Sequence, residues 1–112
     1  MFSEVTDQTF TDEVLLSPSL VLVNFWAPWC GLCRMISPVL SSLETEMGGL
    51  LKLVDVNADE NLKLATTYRL TTLPTLLLFD GGRLLCRVDS FNGRDDLRAK
   101  LGKLMQQFTY SA

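Results

Sequence analysis

Residues Leu20 to Trp26 read LVLVNFW, apolar at nearly every position, with no alternation between polar and apolar. Such a run suits a strand buried on both faces, and that requirement restricts the fold more than any other feature of the chain. A strand covered on both sides needs layers above and below it, which points to an α/β architecture. A second run, Leu50 to Val56, has the same character. Between them Ile36, Val39, Leu40, Leu43 and Met47 recur at helical spacing, so a helix is expected from about Cys33 to Met47. Pro38 lies inside that helix and should kink it, and Gly48–Gly49 should stop it.

The remaining elements follow from local signals. Ser3 to Thr6 reads as a short edge strand. Thr9 or Thr11 suits the cap of a short helix carrying Phe10, Val14 and Leu15, ended by Pro18. Asp59 or Asn61 suits the cap of a helix running to Tyr68. Thr75 to Phe79 and Leu84 to Val88 flank Asp80–Gly81–Gly82–Arg83, a hairpin signal. Asn92 is placed to cap a last helix bearing Leu97, Leu101, Leu104 and Phe108 on one face. The order β-α-β-α-β-α-β-β-α predicts a central mixed β-sheet flanked by helices on both faces. The 112 residues suit a single domain, 1–112, able to bury roughly two-thirds of its unfolded surface.

Composition excludes several functions. The net charge is −3 and the ten Lys and Arg are scattered, which argues against nucleic acid or an anionic membrane as partner. No apolar run approaches the ~20 residues that span a bilayer. The first ten residues, MFSEVTDQTF, lack the pattern of a secretory signal, so a cytoplasmic protein is expected, or one of an organelle stroma or matrix if a transit segment has been removed. There is no histidine, which removes Cys–His catalysis and His metal sites. Three scattered cysteines cannot by themselves complete a tetrahedral zinc site, so no metal and no cofactor is expected.

Cys30 and Cys33 have C-x-x-C spacing directly after the first buried strand and at the start of a helix. The helix end offers unpaired N–H groups and a dipole that favour a thiolate. The second thiol lies one turn along, within reach of a disulfide. Half of a zinc site, or two buried structural thiols, are the competing readings; the other half of a zinc site is missing. Cys86 lies in LLCRV, alternating with Leu84 and Val88, and reads as a small buried hydrophobe.

The stretches VLVNFWAPWCGLCRMISPVL, LVDVNADEN and TLPTLLLFDGG resemble the thioredoxin family over nearly the whole chain. The resemblance implies the thioredoxin fold and a thiol–disulfide oxidoreductase that reduces protein disulfides. Cys30 would attack and Cys33, more buried, would resolve. Trp29, Gly31 and Leu32 would shape the surface that meets the target. Pro74 would be cis, facing the disulfide, with the Leu73 backbone pairing to an extended target segment. Trp26 and Pro38 match structural positions of the family. Partners would be disulfide-containing target proteins and a thioredoxin reductase, NADPH-linked or ferredoxin-linked; a monomer is the default. A thioredoxin-fold binding module and a more oxidising isomerase or oxidase are the alternatives.

The chain departs from the family where Leu32 replaces the usual Pro, Arg34 the usual Lys, and Asn24 the usual buried acid. Asn24 does not titrate in the relevant range. Asp55, among Leu53, Val54 and Val56, is the expected substitute: an acid moved to the neighbouring strand, with a proton affinity raised by burial. A solvated Asp55, or one merely bonded to Asn24, is the competing reading.

Overall fold

The structure, a computed structural model, describes residues 2–109. Its strands are β1 (Ser3–Glu4), β2 (Leu20–Trp26), β3 (Leu51–Asn57), β4 (Thr75–Asp80) and β5 (Arg83–Val88). Its α-helices are α1 (Gly31–Met47), α2 (Leu62–Thr67) and α3 (Gly93–Thr109). The sheet order is β1-β3-β2-β4-β5. The first three strands are parallel, and β4 and β5 run antiparallel to their neighbours. The LVLVNFW strand is central and paired on both edges, and its nearly continuous apolar pattern fits the layers that cover both of its faces.

Alternation along the strands sorts two cores. Leu20, Leu22, Leu51, Leu53, Leu76 and Leu78 face the helices α1 and α3. Val21, Val23, Phe25, Val54, Val56 and Leu77 face the opposite layer, built from Phe10, Val14 and Leu64. By the same parity Asn24, Trp26 and Asp55 point to the α1 side, at the C-terminal ends of the parallel strands.

Local chemistry shifted several boundaries. β1 is shorter than Ser3 to Thr6. Residues Thr11–Leu15 form a single π-type turn with no side-chain cap, because Thr9 Oγ1 accepts from Thr6 N–H (2.9 Å) instead. Helix α1 starts at Gly31, two residues before the expected Cys33, because Cys30 itself occupies the N-cap position. Asn61 precedes α2 but does not cap it; its Oδ1 accepts from Asp7 N–H at 2.8 Å. The Leu64 N–H of α2 donates to Asp7 Oδ1 at 3.0 Å, so the cap comes from 57 residues away. At α3 the Asn92 N–H donates to Asp96 Oδ2 at 2.7 Å, the reverse of the expected direction. Gly81 and Gly82 have φ of 58° and 82°, as a two-residue hairpin turn requires. In β5 the register slips by one: Cys86 opposes Leu78 while Leu84 opposes Phe79. This bulge breaks the expected alternation, leaving Leu84 exposed while Leu85, Cys86 and Val88 pack on the α1/α3 core.

Candidate active site

Cys30 is the N-cap of α1, with extended backbone (φ −86°, ψ 101°), and its Sγ accepts the Cys33 N–H at 3.1 Å. The two cysteines are joined as a disulfide, with Cα atoms 5.3 Å apart. The sulfur thus takes the place of a capping oxygen at the positive end of a 17-residue helix. An anion formed at Cys30 would be held by a backbone donor already directed at it.

The expected difference in burial does not hold. Cys30 is 5% exposed and Cys33 6%, because both belong to a small apolar cluster with Ala27, against which Trp26 and Leu73 pack. What separates them is position. Cys33 lines a cavity of about 430 Å³ that it shares with Asn24, Trp26, Arg34 and Asp55.

Asn24 and Asp55 are register partners on β2 and β3, and Asn24 Nδ2 donates to Asp55 Oδ1 at 2.9 Å. Each is only 6% exposed. Burial pushes the Asp55 carboxyl above the usual range, and the Asn24 hydrogen bond pulls part of the way back. Asp55 is thus buried at its strand position, and the bond to Asn24 that the competing reading named is present. Arg34 also lines the cavity, but its guanidinium donates to the Pro28 carbonyl (2.6 Å).

Around the disulfide the surface is apolar. Trp29 is 68% exposed, yet its indole N–H is fixed by Asp59 Oδ2 at 2.8 Å. Leu32 and Met35 are also exposed. A Cβ on Gly31 would meet no atom within 4 Å, so nothing inside the fold demands glycine there. The Leu73–Pro74 peptide is cis, with Pro74 buried and Leu73 half-buried on the cysteine cluster. Pro38 lies within α1, as expected. Cys86 is outside the site, a half-buried free thiol whose proton is held more tightly through burial.

Sequence reasoning missed two carboxylates. Asp59 anchors Trp29, and Glu4 Oε2 accepts from the Trp26 indole at 3.3 Å. Burial raises the Glu4 carboxyl, the Trp26 bond opposes this, and the charges of Asp55 and Glu60 add to it. The parity of β1 could have revealed Glu4, since Glu4 pairs with Asp55; nothing local in NADEN marks Asp59. Among the described residues no cluster of three or more His, Cys, Asp or Glu could hold a metal, and no helix is long and apolar enough to cross a membrane.

The thioredoxin family profile matches residues 1–106. Thioredoxin 1 of Nostoc sp. is 49% identical over 72% of this chain and 76% of its own length. Thioredoxin 1 of Synechococcus elongatus is 47% identical over 80% of each chain. Thioredoxin of Bacillus subtilis is 41% identical over 89% of this chain and 94% of its own. With a cysteine pair closed as a disulfide at the start of the helix that follows the central strand of a mixed five-stranded sheet, the chain belongs to the thioredoxin family and is a thiol–disulfide oxidoreductase that reduces protein disulfides.

Proposed function

We propose that Cys30 is the nucleophile and Cys33 the resolving thiol. The Cys30 thiolate attacks one sulfur of a target disulfide, forming a mixed disulfide and releasing one target thiolate. Cys33 then gives its proton to the Asp55 carboxylate and attacks Cys30 Sγ. The second target thiolate leaves and the Cys30–Cys33 disulfide closes. The observation that carries this assignment is the position of Cys30 Sγ at the α1 N-cap, accepting the Cys33 N–H. Trp29, Gly31, Leu32 and the Leu73–Pro74 segment form the face that meets the target. Gly31 keeps that face low, and the Leu73 backbone pairs with an extended target strand. Trp26 and Pro38 support the site, Arg34 ties the helix start to the Pro28 loop, and Asn24 holds Asp55.

The test is reduction of insulin by dithiothreitol. The protein should accelerate it, Cys30→Ser should abolish the acceleration, and Cys33→Ser should trap a mixed disulfide. No acceleration over background would refute the reductase assignment. Asp55→Asn should remove the acid limb of the pH–rate profile of the resolving step, since only the ionised carboxylate accepts a proton. An unchanged profile would exclude Asp55 as the relay.

Leu32 relaxes the backbone constraint that a proline would impose at the helix start, and sets the pair more oxidising than a Pro would. Leu32→Pro should shift the glutathione equilibrium toward the disulfide, and no shift or the opposite one would refute this. The chain works as one domain and as a monomer, recycled by a thioredoxin reductase that is NADPH-linked or ferredoxin-linked. Its compartment is the cytoplasm or an organelle stroma or matrix. Activity with each reductase in turn distinguishes the donors.

A further inference from the structure

Asn24 uses only half of its amide. Nδ2 donates to Asp55, while Oδ1 is buried with no hydrogen-bond partner among the described residues. Buried polar atoms nearly always have partners, and an unmade bond there is costly. Several groups lining the cavity do not reach this atom in the disulfide state. Ionised Asp55 is an acceptor only. The Trp26 indole N–H donates to Glu4, and one N–H of the Arg34 guanidinium donates to Pro28. Cys33, on the same cavity as Asn24, has no S–H while it is bonded to Cys30.

Reduction supplies the missing donor. A dithiol reductant breaks the Sγ–Sγ bond and transfers two electrons, becoming a disulfide itself. Its two protons pass to the two sulfurs, and Cys33 acquires an S–H. We propose that Asn24 Oδ1 is the acceptor kept for the Cys33 S–H, so that Asn24 is a positioning residue linking the resolving thiol to Asp55. The inference rests on the reading of Cys33 as the resolving thiol. One planar amide then holds the resting thiol at one end and the carboxylate at the other, and the S–H leaves Oδ1 before Cys33 gives its proton to Asp55. A second carboxyl could do this only by sharing a proton with Asp55. It would face Asp55 across the 2.9 Å now spanned by a hydrogen bond, and like charges at that distance cannot both ionise.

The first test uses the unmodified chain, labelled with carbon-13 and nitrogen-15. On reduction with dithiothreitol the Asn24 carboxamide carbon should move downfield, while those of Asn57 and Asn61, already bonded, should stay in place. A stationary Asn24 resonance overturns the proposal. The shift should persist in Asp55→Asn and in Ser37→Ala. Its loss in Ser37→Ala would assign Oδ1 to the Ser37 hydroxyl, another donor on the cavity, and overturn the proposal. Its loss in Asp55→Asn would do the same. In glutathione equilibrium, Asn24→Leu should favour the disulfide about three- to tenfold over the parent, the worth of one hydrogen bond made only by the reduced state. An unchanged equilibrium overturns the proposal as well. The Cys33→Ser trapping experiment and the Asp55→Asn pH profile report separately on the underlying assignments. A failure there with a moving Asn24 resonance would remove the mechanism but not the hydrogen bond.

Discussion

At the scale of single residues, the chemistry of the site is a matter of which polar atoms are buried together. Asp55 illustrates the consequence for stability. Its folded proton affinity is raised by burial, so the folded state favours the protonated form. That favourable contribution is complete below the unfolded carboxylate range and is lost as pH rises through the raised folded value. Above that raised value the protein carries an ionised, buried carboxylate at a cost. Asp55→Asn keeps the acceptor for Asn24 and removes the charge. Thermal melts should show the variant a few degrees more stable at pH 7, with the gap closing at pH values below the usual Asp range. A constant gap across pH would contradict the burial argument. Asp59 acts through Trp29, whose ring is open to solvent while its N–H is fixed. Asp59→Ala frees the indole, and insulin reduction should then show KM raised about two- to fivefold, in line with the loss of one hydrogen bond, with kcat nearly constant.

Elements are joined here by contacts that no local pattern contains. Gly82 is the sharpest case. Its φ of 82° disfavours any side chain, and a Cβ there would lie 2.5 Å from the Leu15 carbonyl oxygen. The β4–β5 hairpin thus lies directly on the end of the Thr11–Leu15 turn. Gly82→Ala should cost about 2–4 kcal/mol, combining left-handed backbone strain with overpacking against a main-chain atom. Urea unfolding measures this, and a cost below about 1 kcal/mol would mean the turn moves aside. The capping of α2 by Asp7 has the same lesson. Asn61 stands where a cap was expected, but the fold brings Asp7 to the helix end, and Asp7 takes the orphan N–H of Leu64. The bulge in β5 could not be read from LLCRV, because its cause is the cross-strand register with β4.

For the whole molecule, the Cα radius of gyration is 13.0 Å, the value a compact chain of this length should have. The disulfide spans three positions within one helix start, so opening it releases no long loop. Small-angle scattering on the oxidised and reduced forms should give the same radius within error, and an expanded reduced form would contradict a redox cycle carried on a rigid scaffold.

The sequence by itself determined the layers and the reactive pair. LVLVNFW had to be covered on both faces because it is apolar at every position but Asn24, and C-x-x-C after it had to open the next helix. Those are local consequences of hydrophobic pattern and helix ends. It also named Asp55 as a buried acid, from apolar neighbours alone. Only the tertiary structure decided what Asp55 touches. The β2–β3 register sets it against Asn24, the β1–β3 register brings Glu4 alongside, and the packing of α1 puts Cys33 on the same cavity. Equal burial of the two cysteines was likewise settled by Leu73, forty residues beyond Cys33, packing on their cluster. Hydrogen bonds and desolvation depend on distances of a few ångströms between residues far apart in the chain, and those distances exist only once the sheet is assembled.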